Sequence, residues 1–489
     1  MKRILIRLAL LAVAATGSVA CLDDMDVKQK SKITTPDMWL DESDALGAMY
    51  GMYHQMRAVF QTALIYWGDY RAGTFTGGAG GSGSGDKMFA NRLDSSETKG
   101  TNWGSTYTAI NDANLILKHV PGIAFSSESD KELVLANAHF VRAYLYYNIV
   151  RVWGDAPLLL TGFESSDAKL QPSRSEASLL YAQIGKDIEE ALRLMPASAA
   201  DCTIATRSAV AMLKADYNLW LYQTREGGDA ALTAADEALD AVFADARLKL
   251  LDSYADVFDI GNKGNAEIIL TIRLAMGEYE GGFGSVYLLP QTRFYSAAEH
   301  IETHVKLMNS DDQRYIFSPG LVELMYADAR DTRTPVNYGD WTDEEQGYRY
   351  TWVNKFAGMW KDNKRYFISD IPLYRYAEAL LFKAELENER GNTDTALEYL
   401  NRVARRAYGV DDYYATLDYD LFKEALMNEY LKEFAAEGKS WWNYIRLGFA
   451  FTKIESLRGR QHQTNILLWP IANACMNENP NIRQTVGYN

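Results

Sequence analysis

The chain has 489 residues, 47% of them hydrophobic, which is enough for a large buried core. Fifty Lys and Arg against 65 Asp and Glu give a net charge of −15, and losing Lys2, Arg3 and Arg7 with a leader makes it −18. So acidic a balance excludes a protein that grips the phosphate backbone of nucleic acid, and it offers no attraction to an anionic membrane surface.

The chain opens on a basic start, an apolar run from Ile4 to Ala15, and small residues leading to Ala20-Cys21. That run is too short to span a bilayer, so residues 1–20 read as a cleaved secretory leader. Ser18-Val-Ala-Cys21 is similar to a bacterial lipobox, which makes Cys21 an acylated amino terminus whose lipid supplies membrane affinity. Residues 21–35 are polar and aperiodic, a flexible tether. Pro36 and Asp37 are expected to open a first helix, with Trp39, Leu46, Met49, Tyr50, Tyr53 and Met56 as its apolar positions. A loop is expected from Trp67 through the glycine-rich run ending at Asp86. No Lys-Ser or Lys-Thr follows Gly85 and no strand precedes the run, so it is a surface loop and not a phosphate cradle.

Helical patterns follow over 103–117, 133–152 and 175–194, the last with Ser175 or Ser178 as its cap, and a hairpin turns around Gly227-Gly228 between 206–222 and 229–242. Between about 250 and 370 the pattern changes. Residues 267–273 read as a short strand and 318–330 as a helix with Asp331 and Arg333 beyond it. Around them stand many rings: Tyr279, Phe283, Tyr287, Phe294 and Tyr295, then Trp341, Tyr348, Tyr350, Trp352, Phe356 and Trp360, several at hairpin alternation.

From Leu373 the helical period returns, with Tyr376, Ala377, Leu380, Leu381 and Ala384 on one stripe. Gly391 ends that helix, Thr393 or Asp394 can cap the next, and Ala396, Leu397, Leu400, Val403, Ala404 and Ala407 form its inner face. A third helix is expected over 421–437, ending in the aromatic-basic run 439–446. Four helix pairs (133–195, 206–243, 373–408 and 421 onward) predict a mostly α fold, a divergent array of tetratricopeptide-like hairpins. Residues 36–489 form one domain with an irregular loop and short-strand insertion at about 250–370.

No catalytic constellation emerges. There is no Gly-x-Ser-x-Gly elbow, and Cys202 and Cys475 read as buried free thiols and not as a disulfide scaffold. His300 and His304 lie one turn apart, but Glu302 falls off their face, so the pair is read as helix surface and no metal or cofactor is assigned. Binding is better supported, since a sugar needs flat rings for its C–H face and polar groups for its hydroxyls. Trp67, Asp69 and Arg71 beside the glycine-rich loop, and Phe283, Tyr287, Trp341, Tyr350, Trp352 and Trp360 in the insertion, are the candidate ligand contacts. Trp39, Trp103, Trp153, Trp220, Trp441 and Trp442 are assigned to packing.

Several stretches resemble one family. Arg375-Tyr-Ala-Glu-Ala-Leu-Leu-Phe-Lys-Ala-Glu385, Leu400-Asn-Arg-Val-Ala-Arg-Arg-Ala407 and residues 429–446 are similar to the carboxy-terminal signature of SusD/RagB nutrient-binding outer-membrane lipoproteins. Residues 103–117, the turn 153–157, and the endings 467–471 and 479–488 resemble the same family in the same order. Ser440 stands where that family has Arg and Asn443 where it has Asp, so an ion pair expected at that helix end loses its partners. The resemblance implies a non-catalytic lipoprotein on the outer face of the outer membrane, and Asp23, Asp24 and Asp26 after Cys21 resemble the surface-export signal of such lipoproteins. It implies capture of a glycan or other oligomeric nutrient, handed to a SusC-like TonB-dependent transporter that the helical repeats face. The alternatives are a repeat scaffold for protein partners alone, a binder of peptides or other non-glycan nutrients, and a surface hydrolase.

Overall fold

The computed structural model describes residues 38–488 apart from 79–84, 98, 165–170, 279, 282, 291–300, 309–311 and 346. The leader, Cys21 and the tether lie outside the described residues, as do Tyr279, Phe294, Tyr295 and His300. The frame consists of α1 (Glu42–Gly68), α2 (Gly104–His119), α3 (Glu128–Trp153), α4 (Ala177–Leu194), α5 (Arg207–Arg225) and α6 (Gly228–Phe243), followed after the insertion by α7 (Tyr376–Glu389), α8 (Thr393–Tyr408), α9 (Tyr419–Glu433) and α10 (Ser440–Arg446). About 52% of the described residues are helical, and α3 with α4, α5 with α6, and α7 with α8 pack as hairpins, the tetratricopeptide-like array that was expected. Among the described residues no helix is long and apolar enough to cross a membrane.

Several boundaries differ from the sequence reading, each for a local reason. α1 starts at Glu42 because Asp41 and Asp44 form a capping box, Asp41 accepting from the Ser43 and Asp44 N–H groups. It runs on through Trp67, where a loop was expected. α4 is not capped by Ser175 or Ser178. Ser175 bridges to Ala156, and Asp155 accepts from the Ala177 N–H at 2.8 Å. α8 starts directly after Asn392, whose side chain is drawn away to Glu387 at 2.8 Å.

Short antiparallel strand pairs lie in the insertion and beside it: β1 (Phe75–Gly77), β2 (Ile268–Ile272), β3 (Tyr315–Phe317), β4 (Tyr338–Asp343), β5 (Tyr348–Val353), β6 (Met359–Lys361), β7 (Lys364–Tyr366) and β8 (Ile371–Arg375). A further, parallel pair joins Leu289–Pro290 to Leu307–Met308. Leu373, expected on a helix, lies in β8, which pairs antiparallel with the anticipated strand β2. Pro372 explains part of this, because a residue without an N–H serves at an irregular strand pair better than inside a helix. The expected 421–437 helix also breaks after Glu433, since Ala436 and Gly438 take φ of +61° and +72°. There α1 meets the turn before α10 backbone to backbone. A Cβ on Gly68 would lie 1.8 Å from the Gly438 carbonyl oxygen, so only glycine fits.

Behind that turn lies an interior ion network. Arg375 reaches Glu267 at 2.7 Å, Glu433 at 3.0 Å and Glu437 at 2.9 Å. Arg406 joins Glu267 and Glu433, Lys355 meets Glu437 at 2.8 Å, and Arg333 holds Asp331 at 2.8 Å and Glu429 at 2.6 Å. Glu429 and Glu433, four apart, share one face of α9, and the turn that follows the helix adds Glu437. Lys439 and Arg446 bind Glu378 and Glu385, both at 2.9 Å, so this helix end is salt-bridged despite Ser440 and Asn443. The amide nitrogen of Asn443 is buried without a hydrogen-bond partner.

Burial raises the Glu429 carboxyl, yet Arg333 and Lys432 hold it down at about 2, and Arg406 and Arg375 do the same for Glu433. These folded values lie below the unfolded one, so the stability they contribute is complete above pH 4.5 and disappears as the pH falls toward 2. For Glu429 alone that is on the order of 3 kcal/mol. Asp69 has the opposite sign, its folded value being raised to about 6. The midpoint of thermal unfolding, followed by circular dichroism, is therefore expected to rise slightly from pH 7 to about 5 as Asp69 takes up its proton, and to drop steeply below about 4.5. A midpoint unchanged at pH 3 would contradict this.

Candidate ligand-binding site

The two regions expected to build a site do come together. β1, just after α1, pairs antiparallel with β3 of the insertion, Phe75 opposite Phe317 and Gly77 opposite Tyr315. Around this pair Tyr70, Phe75, Tyr287 and Tyr315 form one aromatic cluster, with Phe75 stacked on Tyr287 at 5.5 Å and Tyr70 against Tyr315 at 4.6 Å.

The structure corrects the roles given to the early residues. Trp67 is buried, donates from Nε1 to the Gly100 carbonyl at 2.8 Å and packs edge-on against Trp153. Asp69 is wholly buried and accepts from the N–H groups of Gly438 (2.9 Å) and Ser440 (3.1 Å), capping α10 from a distance. Arg71 is wholly buried, donating to Asn91 Oδ1 at 2.7 Å and to the carbonyls of Ile466 (2.5 Å) and Leu468 (2.8 Å). Asp69 and Arg71 are thus covered by residues 438–469, and Trp67 by Gly100 and Trp153. Tyr287 is interior as well, its hydroxyl 3.3 Å from that of Tyr70. Phe283 begins a 3-10 turn, Phe283–Tyr287, and its side chain lies outside the described residues.

The second cluster is the β4–β5 hairpin. Its register places Trp341 opposite Tyr350 and Gly339 opposite Trp352, so these side chains share one face. Trp341 is half-buried, stacked between His304 at 4.8 Å and Tyr350 at 5.9 Å, and Tyr348 continues the row 4.6 Å from Tyr350. Tyr348 is 49% exposed. Tyr350 and Trp352 are buried, a correction to their expected role as open platforms. Trp352 lies flat over Gly339, where a Cβ would be 2.1 Å from the indole, and donates from Nε1 to Asn354 at 3.0 Å. Trp360 is half-buried on β6, with the Arg365 guanidinium 5.2 Å over its ring.

Against this hairpin opens a cavity of about 460 Å³ lined by His304, Lys306, Tyr326, Asp328, Asp340 and Asn354, with Trp352 behind them. Tyr326 is 48% exposed and donates to Asp340 at 3.2 Å, and Arg349 pairs with the same carboxylate. Arg330 and its own N–H hold the Asp328 carboxyl well below the usual range. The cavity thus offers open rings beside fixed acceptors and donors, the combination a hydroxylated ring needs. Among the described residues no group of three or more His, Cys, Asp and Glu is placed to hold a metal. Sequence reasoning did not find Tyr326, Asp328 or Asp340 as a group, because only the hairpin register and the turn after 325 bring them together. The Asp-rich run 328–331 was the one available signal.

A helical-hairpin array that carries a ring-rimmed insertion is a binding scaffold. A family described as "Starch-binding associating with outer membrane" matches residues 80–216, and the "SusD family" matches residues 326–488. SusD-like protein P38 of Formosa agariphila is 25% identical over 505 residues, spanning 96% of each chain. Starch-binding protein SusD of Bacteroides thetaiotaomicron is 24% identical over 413 residues, 72% of each chain. The solved structure of B. fragilis NanU superposes with a TM-score of 0.81 at 26% identity, over 95% of this chain and 100% of that one. This chain belongs to the SusD/RagB family.

Proposed function

We propose that this protein is a cell-surface lipoprotein that captures a glycan and passes it unaltered to a SusC-like TonB-dependent transporter in the outer membrane. Residues 1–20 would be removed, Cys21 lipidated, and residues 21–35 would tether the single domain 36–489 to the outer leaflet, facing the exterior. The family's description as starch-binding and outer-membrane-associated supports this reading, as does the lipobox-like sequence. The observation that carries it is the row Trp341, Tyr350, Tyr348 beside a cavity that holds Tyr326 and Asp340. Tyr348 supplies the open ring face and Trp360 the side of its ring away from Arg365, Asp340 and Tyr326 meet hydroxyls, and Trp341, held between His304 and Tyr350, fixes the row and borders the ligand with its edge. Affinity in the micromolar to millimolar range, about −8 to −4 kcal/mol, suits a carrier that must release its load.

In calorimetry against maltooligosaccharides and other soluble glycans, Trp341→Ala is expected to weaken binding about tenfold, roughly 1.4 kcal/mol. Tyr348→Ala, at an exposed ring, is expected to weaken it a few-fold without moving the unfolding midpoint. Wild-type affinity in both variants places the site elsewhere, and shortened oligomers after prolonged incubation overturn the non-catalytic reading. Labelled palmitate should enter the wild-type chain and not Cys21→Ala. Its absence from the wild type removes the anchor.

A further inference from the structure

A cavity of about 810 Å³ opens between the residues just before β1, the helix Pro319–Met325, α9, α10 and the segment 453–458. It is distinct from the hairpin cavity. The helix Pro319–Met325 contributes Leu321 and Leu324 to it, whereas Tyr326, past the end of that helix, lines the other. Its walls are tied in place. Ser318 donates from its N–H to the Thr74 carbonyl at 2.9 Å and from its hydroxyl to the Gly73 carbonyl at 2.7 Å. Ser456 accepts from Asn91 at 2.8 Å, and Arg460 donates to the Asn91 carbonyl at 2.9 Å, so the segment 453–458 is joined to the turn that follows Phe89. Walls fixed in this way spare a ligand the cost of ordering them.

Tyr444 supplies the observation that points to a ligand. It is 8% exposed, and it lines this cavity and not the hairpin one. Burial alone pushes its hydroxyl up to about 12, with no neighbouring group bonded to it among the described residues. Nor is that oxygen one of the unpartnered polar atoms sealed away from solvent. The hydroxyl therefore reaches the open space that the ring borders, and that space is this cavity.

Its neighbours are unmet as well. Among the described residues the Asn428 side chain has no hydrogen bond and Glu455 no cation within reach, and Arg458 uses only Nε, on the Thr452 carbonyl at 3.2 Å. Lys453 is already paired with Glu424 at 2.9 Å. Unpaired charges of both signs select against a guest that is strongly anionic or cationic. Donors and acceptors left open side by side suit hydroxyls, which do both. Phe89 and Leu324, both half-buried, give C–H faces a place to lie. The volume is toward the upper end of the roughly 300–1,000 Å³ of small-molecule sites, so more than one sugar ring fits. We infer that this cavity is a second carbohydrate site, for a neutral oligosaccharide whose hydroxyls meet Tyr444, Asn428, Glu455 and Arg458 while a ring lies on Phe89 and Leu324. The class of ligand rests on the glycan reading above, but the place of the site does not.

Maltotriose, cellotriose and mannotriose are the probes, titrated into the full chain by calorimetry, with trialanine as the peptide control. In the double variant Trp341→Ala, Tyr348→Ala, which disables the hairpin, at least one of the sugars is expected to bind saturably with Kd tighter than about 10 mM. Adding Tyr444→Phe and Asn428→Ala should weaken that binding at least about tenfold. Tyr444→Phe loses only an unpartnered hydroxyl and Asn428→Ala an exposed side chain without a hydrogen bond, so the unfolding midpoint should stay in place. Sugar binding that survives the hairpin substitutions and falls with the cavity ones supports the inference even if the hairpin contributes nothing. Sugar binding abolished by the hairpin substitutions alone keeps the hairpin reading and overturns this one. None of the three sugars bound by the double variant, affinity unmoved by the cavity substitutions, or trialanine bound as tightly as the sugars each overturns it too.

Discussion

Arg375→Ala is expected to cost at least about 3–5 kcal/mol of folding stability, a large fraction of the roughly 5–15 kcal/mol that holds a domain together. The guanidinium is almost wholly buried and contacts Glu267, Glu433 and Glu437, lying over the Phe434 ring at 4.4 Å. Removing it leaves three buried carboxylates facing one another, with Arg406, Lys355 and the more distant Arg333 to share. Arg375→Lys should not restore the loss, because a single ammonium cannot span three partners arranged around a planar fork. Arg405→Ala is the contrast. Its pair with Asp411 is 70% and 72% exposed, and its loss should change stability by no more than about 1 kcal/mol. Urea unfolding of the three variants decides the point, and Arg375→Ala within about 1 kcal/mol of wild type would mean the network is not stabilising this core.

Much of this frame was legible in the chain itself. The helical stripes from Tyr376 to Ala384 and from Ala396 to Ala407 could be read because helical spacing is local information, and so could the β2 strand and the alternation of the β4–β5 hairpin. The same locality explains the errors. Trp67, Asp69 and Arg71 looked open because a glycine-rich run follows them. What buries the last two comes from far along the chain: the Gly438 N–H is 369 positions from Asp69, and the Ile466 carbonyl 395 from Arg71. Composition near a residue says little about a cover that arrives from the other end of the sequence. Trp352 failed for a related reason. Its ring is sheltered by Gly339 across the hairpin, a contact that depends on register and not on either residue's neighbours. The carboxylates and tyrosine of the cavity come from the loop after 325 and from β4, and no sequence period relates them.

Arg71 gives the sharpest test of that correction. Among the described residues no carboxylate pairs with it. It is stabilised by the carbonyls of Ile466 and Leu468, by Asn91, and by two indoles, Trp441 at 4.4 Å and Trp469 at 5.5 Å. Each carbonyl belongs to the segment that leads to the carboxy terminus, where Tyr488 also donates to the Leu468 carbonyl at 2.6 Å. Arg71→Ala therefore deprives several buried acceptors at once and opens a gap between two tryptophans, a loss of about 3 kcal/mol or more. The segment 460–488 should then detach before the rest of the protein, seen as faster proteolysis near the carboxy terminus and a lower unfolding midpoint. Because the residue clamps a chain end and does not face the cavity, the fraction that remains folded should bind glycan with wild-type affinity. The reverse pattern, lost binding with an unchanged midpoint and an intact carboxy terminus, would return Arg71 to the ligand and make its interior contacts incidental.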